Sequence, residues 1–88
     1  MIKAKKKVLE YELPIKIEPQ KEGGFFVLSP IWKDCYAQAD TIDEAILEIT
    51  AVAQSLIELY KEEGLKIPLK LQRKNGFSNM TVPVIVSA

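Results

Sequence analysis

The chain has 88 residues, 48% of them hydrophobic and 27% charged, with twelve Lys and Arg against twelve Asp and Glu. That length holds one domain, residues 1–88, because two would each be too small to bury a core. A net charge of zero argues against direct nucleic-acid binding, which favours a basic excess, and leaves little self-repulsion to oppose assembly.

The first seven residues include Lys3, Lys5, Lys6 and Lys7 but no apolar stretch of the kind that follows a signal's charged region. No apolar run is long enough to span a membrane, so a cytoplasmic location without membrane contact is expected. The Lys5-Lys6-Lys7 run reads as a solvated, frayed basic terminus more readily than as a phosphate contact.

Residues 8 to 18 alternate as a strand with one buried face does. Leu9, Tyr11, Leu13, Ile15 and Ile17 fall on one side and Glu10, Glu12, Lys16 and Glu18 on the other. Pro14 has no N–H to give and marks an edge or a bulge. The stretch 19–24, ending in Gly23-Gly24, reads as a turn. Phe25-Phe26-Val27-Leu28 is apolar on both sides, as in a central strand or at a subunit contact. Ser29 to Asp34 reads as a loop, and Cys35 to Ala39 as a third strand.

The helix has the clearest local chemistry. Thr41 and Glu44 have the spacing of a capping box, and Asp43 and Glu44 suit the positive end of the helix dipole. Ile42, Ala45, Ile46, Ile49, Val52, Ala53, Leu56 and Tyr60 then recur at spacings of three and four. Gly64 is a natural terminator with Pro68 just beyond it. Leu65 to Leu71 alternates again, Asn75-Gly76 signals a turn, and Thr81 to Ser87 is a β-branched strand with Val82, Val84 and Val86 on one side.

These elements predict an α+β two-layer sandwich of β-β-β-α-β order. An antiparallel sheet of three or four strands is crossed by one long helix. A helix of roughly 22 residues, ~33 Å long, is enough to cross a small sheet.

The chemistry argues against catalysis. With no histidine and one cysteine, Cys35, the chain cannot form Ser–His or Cys–His pairs, a mixed Cys/His zinc site or an intrachain disulfide. Cys35 reads as a buried structural thiol. Asp34, Asp40, Asp43 and Glu44 form the one tight acidic group, a conceivable Mg²⁺ site, but Asp40 to Glu44 is already accounted for as a helix start. No cofactor or metal is expected. Trp32, between prolines and charges, has two readings of equal weight: an interface hot spot, or a side chain folded back over one end of the core.

The order and spacing of Gly23, Gly24, Phe25, Pro30, Cys35, Asp40, Thr41, Glu44, Ala45, Ile67 and Pro68 resembles the small domain of the HicB-like antitoxins of bacterial and archaeal toxin–antitoxin systems. The likeness runs from about Tyr11 to Pro68. It departs from the family at Asp34 and Ala39, where glycine is usual, and in the bulkier Ile31-Trp32-Lys33 loop. The resemblance implies a partial ribonuclease H-like fold and a non-enzymatic protein that occludes a small mRNA-cleaving toxin of the HicA type. The alternative is a stand-alone oligomeric structural or regulatory domain with no toxin partner. Only 20 residues follow Pro68, so a stand-alone domain without the helix-turn-helix or ribbon-helix-helix module of many relatives is expected. Trp32, Lys33 and Asp34 are the expected partner contacts. Phe25 and Phe26 are the expected contacts of a homodimer or dimer of dimers.

Overall fold

The computed structural model describes residues 8–71 and 81–87; the basic run at 5–7 and the Asn75-Gly76 turn lie outside them. The chain runs β1 (Val8–Pro14), β2 (Lys16–Pro19), β3 (Phe25–Ser29), β4 (Trp32–Ala39), α1 (Ile42–Glu63), β5 (Lys70–Leu71) and β6 (Thr81–Ser87). All strand pairs are antiparallel and the one long helix packs on them, which is the expected α+β architecture.

The expected first strand is divided in two. β1 belongs to a ladder of order β5-β1-β6, and β2 to a second ladder of order β2-β3-β4. The break falls at Ile15, directly after Pro14, whose missing N–H cannot serve a continuous ladder. The inward alternation survives the break, because Leu13 and Ile15 are both buried and Ile17 packs against the same core. Order before the helix is therefore four strands, not three.

β2 and β3 form a hairpin whose end pair is Pro19↔Phe25. Its turn closes through Gly23 N to Gln20 O and Gln20 N to Gly24 O, both 3.0 Å. Gly23 and Gly24 have φ of 102° and 84°, a region that side chains resist. Gly24 also lies against β4, where an added Cβ would meet the Ala39 carbonyl oxygen at 3.1 Å.

β4 starts three residues earlier than the sequence pattern suggested. It pairs with β3 regularly from Phe25↔Ala39 to Leu28↔Tyr36, then shifts to Ser29↔Trp32. The shift leaves Lys33, Asp34 and Cys35 without partners on β3, between the paired Trp32 and Tyr36; Lys33 and Asp34 are exposed in succession, while Trp32 and Cys35 are buried. The connection from β3 shrinks to Pro30-Ile31.

The helix begins and ends as its local chemistry predicts. Thr41 Oγ1 accepts from Glu44 N at 3.1 Å, and Thr41 O accepts from Ala45 N at 2.9 Å. Gly64 closes the other end at φ 72°, with Leu65 N donating to Tyr60 O at 2.8 Å. Ala45, Ile49, Ala53 and Ile57 form the fully buried stripe. Ile57 replaces Ile42 in that role; Ile42, in the first turn, is exposed.

The stripe meets Leu13, Val27, Cys35 and Val84 from the strands. Because α1 starts just after β4 and its Tyr60 returns to Trp32 at the start of β4, the helix runs back along that strand. Its other flank is tied to β6, where Gln54 Nε2 donates to Ile85 O at 3.0 Å. Among the described residues between the helix and Leu71, Lys70–Leu71 pair with β1.

Candidate functional site

The three residues expected to meet a partner do not form one surface. Trp32 is 3% exposed and folded back over the core, the second of its two readings. Its Nε1 donates to the Tyr60 hydroxyl at 3.1 Å, and the rings meet edge to face with centroids 5.1 Å apart. The same hydroxyl donates to Asp34 Oδ2 at 3.4 Å. Tyr60 thus satisfies a buried indole N–H and holds the bulge against the helix. Lys33 and Asp34 point outward, joined by Ile31 at 51% exposure.

Ile31 also lines a groove of about 290 Å³ with Glu12, Pro14, Pro68 and Lys70. Neither Ile31 nor Tyr60 stood out as a site residue in the sequence. Tyr60 had a detectable signal only as a core position, since the contact spans 28 residues.

The two phenylalanines separate by strand parity. Phe25 packs against the core beside Ala39. Phe26 lies on the opposite face, with its ring centroid 6.0 Å from that of Tyr36. Tyr36 is 56% exposed, and Leu28, directly opposite it across the strands, is half-buried. This makes a small apolar patch on the face of β3 and β4 away from the helix.

The groups with chemistry to offer are separated among the described residues. Burial pushes the Cys35 thiol up from 9.0 to about 11, which keeps it protonated and a poor nucleophile at neutral pH. Among the described residues, no group of three His, Cys, Asp or Glu side chains is placed to hold a metal ion. Asp40, Asp43 and Glu44 are all exposed at the helix start. No helix among the described residues is long and apolar enough to cross a membrane.

No family model matches the chain, and no solved structure matches it. Three curated relatives do. The chain is 38% identical over 56 residues, 64% of its length, to Antitoxin HicB 1 of Photorhabdus laumondii subsp. laumondii, but that match spans 36% of the antitoxin. It is 34% identical over 55 residues to UPF0150 protein ssl0259 of Synechocystis sp., covering 62% of this chain and 75% of the relative. To UPF0150 protein ssr1765 of the same organism it is 33% identical over 58 residues, covering 66% of this chain and 73% of the relative. Similarity at this level over nearly three-quarters of such a relative, in a fold with the expected helix and strands, means that the chain belongs to the HicB-like UPF0150 family.

Proposed function

We propose that this chain is a non-enzymatic, antitoxin-like protein that neutralises a small mRNA-cleaving ribonuclease of the HicA type by covering it. The observation that carries the reading is the 38% identity to Antitoxin HicB 1. Occlusion asks for a shaped surface and no catalytic group, and a high thiol pKa with no acidic metal cluster among the described residues is compatible with that. The exposed Ile31, Lys33 and Asp34 are the contacts assigned to the β3–β4 end, with Trp32 as the core anchor beneath them. The chain also self-associates through the Phe26 face in this reading, as a homodimer or dimer of dimers.

The decisive experiment is co-expression with a HicA-type toxin. Growth should be rescued and the two proteins should co-purify; toxicity undiminished by abundant folded chain would sink the proposal. Purified chain should show no nuclease activity with Mg²⁺ or Mn²⁺. Cleavage of RNA that vanishes in Asp40→Asn would instead make it an enzyme. A second reading is a stand-alone oligomeric structural or regulatory domain without a toxin; the names of the two UPF0150 relatives, matched over about three-quarters of their length, state no antitoxin role. That reading predicts assembly but no rescue.

A further inference from the structure

The charge of the chain is neutral only as a sum. The helix α1 carries Asp43, Glu44, Glu48, Glu58, Glu62 and Glu63 against Lys61, leaving six acids and eleven bases for the rest of the chain. A stripe at spacings of three and four, Glu44, Glu48, Ala51, Ser55, Glu58 and Glu62, runs the length of its outward side. All six are exposed. The stripe therefore has acidic ends and a small-sided middle.

Apolar side chains straddle that middle. Leu47 is 70% exposed and Leu59 is 48% exposed. They lie on the line 47-51-55-59, offset by two residues, or about 200° around the helix, from the buried line 45-49-53-57. Beside them, Ala51, Val52, Ser55, Leu56 and Leu59, together with Glu48, line an open groove of about 350 Å³. A helix needs one apolar face to hold a sheet; a second on the opposite side calls for a second contact.

We infer that this outward face of α1 docks a protein surface that is cationic around an apolar centre. Charge chooses the occupant. A second copy laid symmetrically on the face would bring two sets of glutamates together, which is repulsive. A basic partner places opposite charge over both ends of the stripe while the groove along Ala51, Val52, Ser55 and Leu56, flanked by Leu47 and Leu59, buries against its apolar centre.

The inference rests on the proposed neutralisation of a ribonuclease and adds a second contact surface to the one assigned to Ile31, Lys33 and Asp34. An enzyme that grips RNA phosphates needs lysine and arginine around its cleft. An acidic face is drawn to such a cleft by long-range attraction and covers it on arrival. Tyr60, which bonds Asp34, is on the inward side of α1, so the Lys33-Asp34 bulge lies on the other side of the helix from this face.

The test is calorimetric titration of the whole chain with a purified HicA-type toxin. Glu48→Lys and Leu47→Ser should each weaken binding by about tenfold or more, as loss of a central contact does. Glu22→Lys, the same charge change in the β2–β3 turn and off the helix, should bind like the parent. Parent affinity should also fall between 0.1 M and 1 M salt, as the screening length drops from about 10 Å to about 3 Å. Circular dichroism and thermal unfolding confirm that each variant is folded.

Equal binding by the parent and both face variants would overturn this inference and leave the neutralisation reading standing. No binding by the parent would overturn that reading and this surface with it. If light scattering instead shows Glu48→Lys and Leu47→Ser reducing an oligomer to monomers, the face joins copies of the chain and the cationic partner is refuted.

Discussion

The Trp32 indole nitrogen lies 3.1 Å from the Tyr60 hydroxyl, and this bond fastens the start of the edge strand β4 to the last turns of α1. It gives Trp32 a structural duty. Trp32→Ala should cost ~3–5 kcal/mol through the cavity it leaves, so loss of partner capture in that variant would report unfolding as much as a lost contact. Tyr60→Phe is the sharper probe. It keeps the ring packing but strands a buried N–H, and should lower stability by ~1–2 kcal/mol in urea denaturation. An unchanged midpoint would mean that the indole finds another acceptor. Ile31→Ala and Lys33→Glu, both at exposed positions, should leave stability nearly unaltered and test the binding surface alone.

The helix start offers a second check. Thr41 Oγ1 accepts from Glu44 N, so Thr41→Ala removes one partner of a terminal N–H and should cost ~1 kcal/mol. Thr41→Ser retains the oxygen and should restore most of that. If the alanine and serine variants melt alike, the cap contributes nothing measurable.

What the sequence made legible follows the range of the forces involved. Thr41, Glu44 and Gly64 act within one helical turn, and both helix ends fall where those residues place them. Val82, Val84 and Val86 announce a one-sided strand by parity alone, and all three are buried. The division at Ile15 was legible only as a mark of an edge or a bulge at Pro14, because Leu13, Ile15 and Ile17 keep perfect alternation across it. Which ladder each half joins is decided by β6, which reaches β1 from the C-terminal end of the chain, and by β3, which pairs with β2 through the local turn. Trp32 was undecidable for the same reason: its burial depends on a tyrosine 28 residues away. The inward Phe25 and outward Phe26 needed the position of the helix relative to β3, which strand parity cannot supply.

The Cys35 thiol predicts a pH dependence of stability. Its folded value, about 11, lies above the 9.0 of an unburied thiol because burial penalises the thiolate. Below pH 9 both states hold the proton and this group adds no slope. Between about 9 and 11 the unfolded chain releases the proton while the folded chain retains it, so stability falls as pH rises. The drop should be smaller in Cys35→Ala, and the difference between the two curves isolates the contribution of the thiol. Parallel curves would mean that Cys35 ionises freely in the folded protein. Consistent with burial, alkylation of the native protein at pH 7.5 should be far slower than in urea.

The proposed self-association places its weight on Phe26. It lies on the side of β3 away from the core, its ring against Tyr36 and its strand partner Glu18 directly opposite. A glutamate there would face Glu18 across the strands and cost the monomer a few tenths of a kcal/mol to ~1 kcal/mol, a modest penalty that should leave it folded. At a subunit contact the same change buries an unpaired charge, which is far more expensive. Phe26→Glu should therefore turn an oligomer into a folded monomer by light scattering at micromolar concentration. Phe26→Lys separates the two effects, since lysine opposite Glu18 favours the monomer yet still places a charge in the interface. Both variants should be monomeric if the face joins copies of the chain. A monomeric parent would end the proposal, and an oligomer that survives both substitutions would put the contact on another surface.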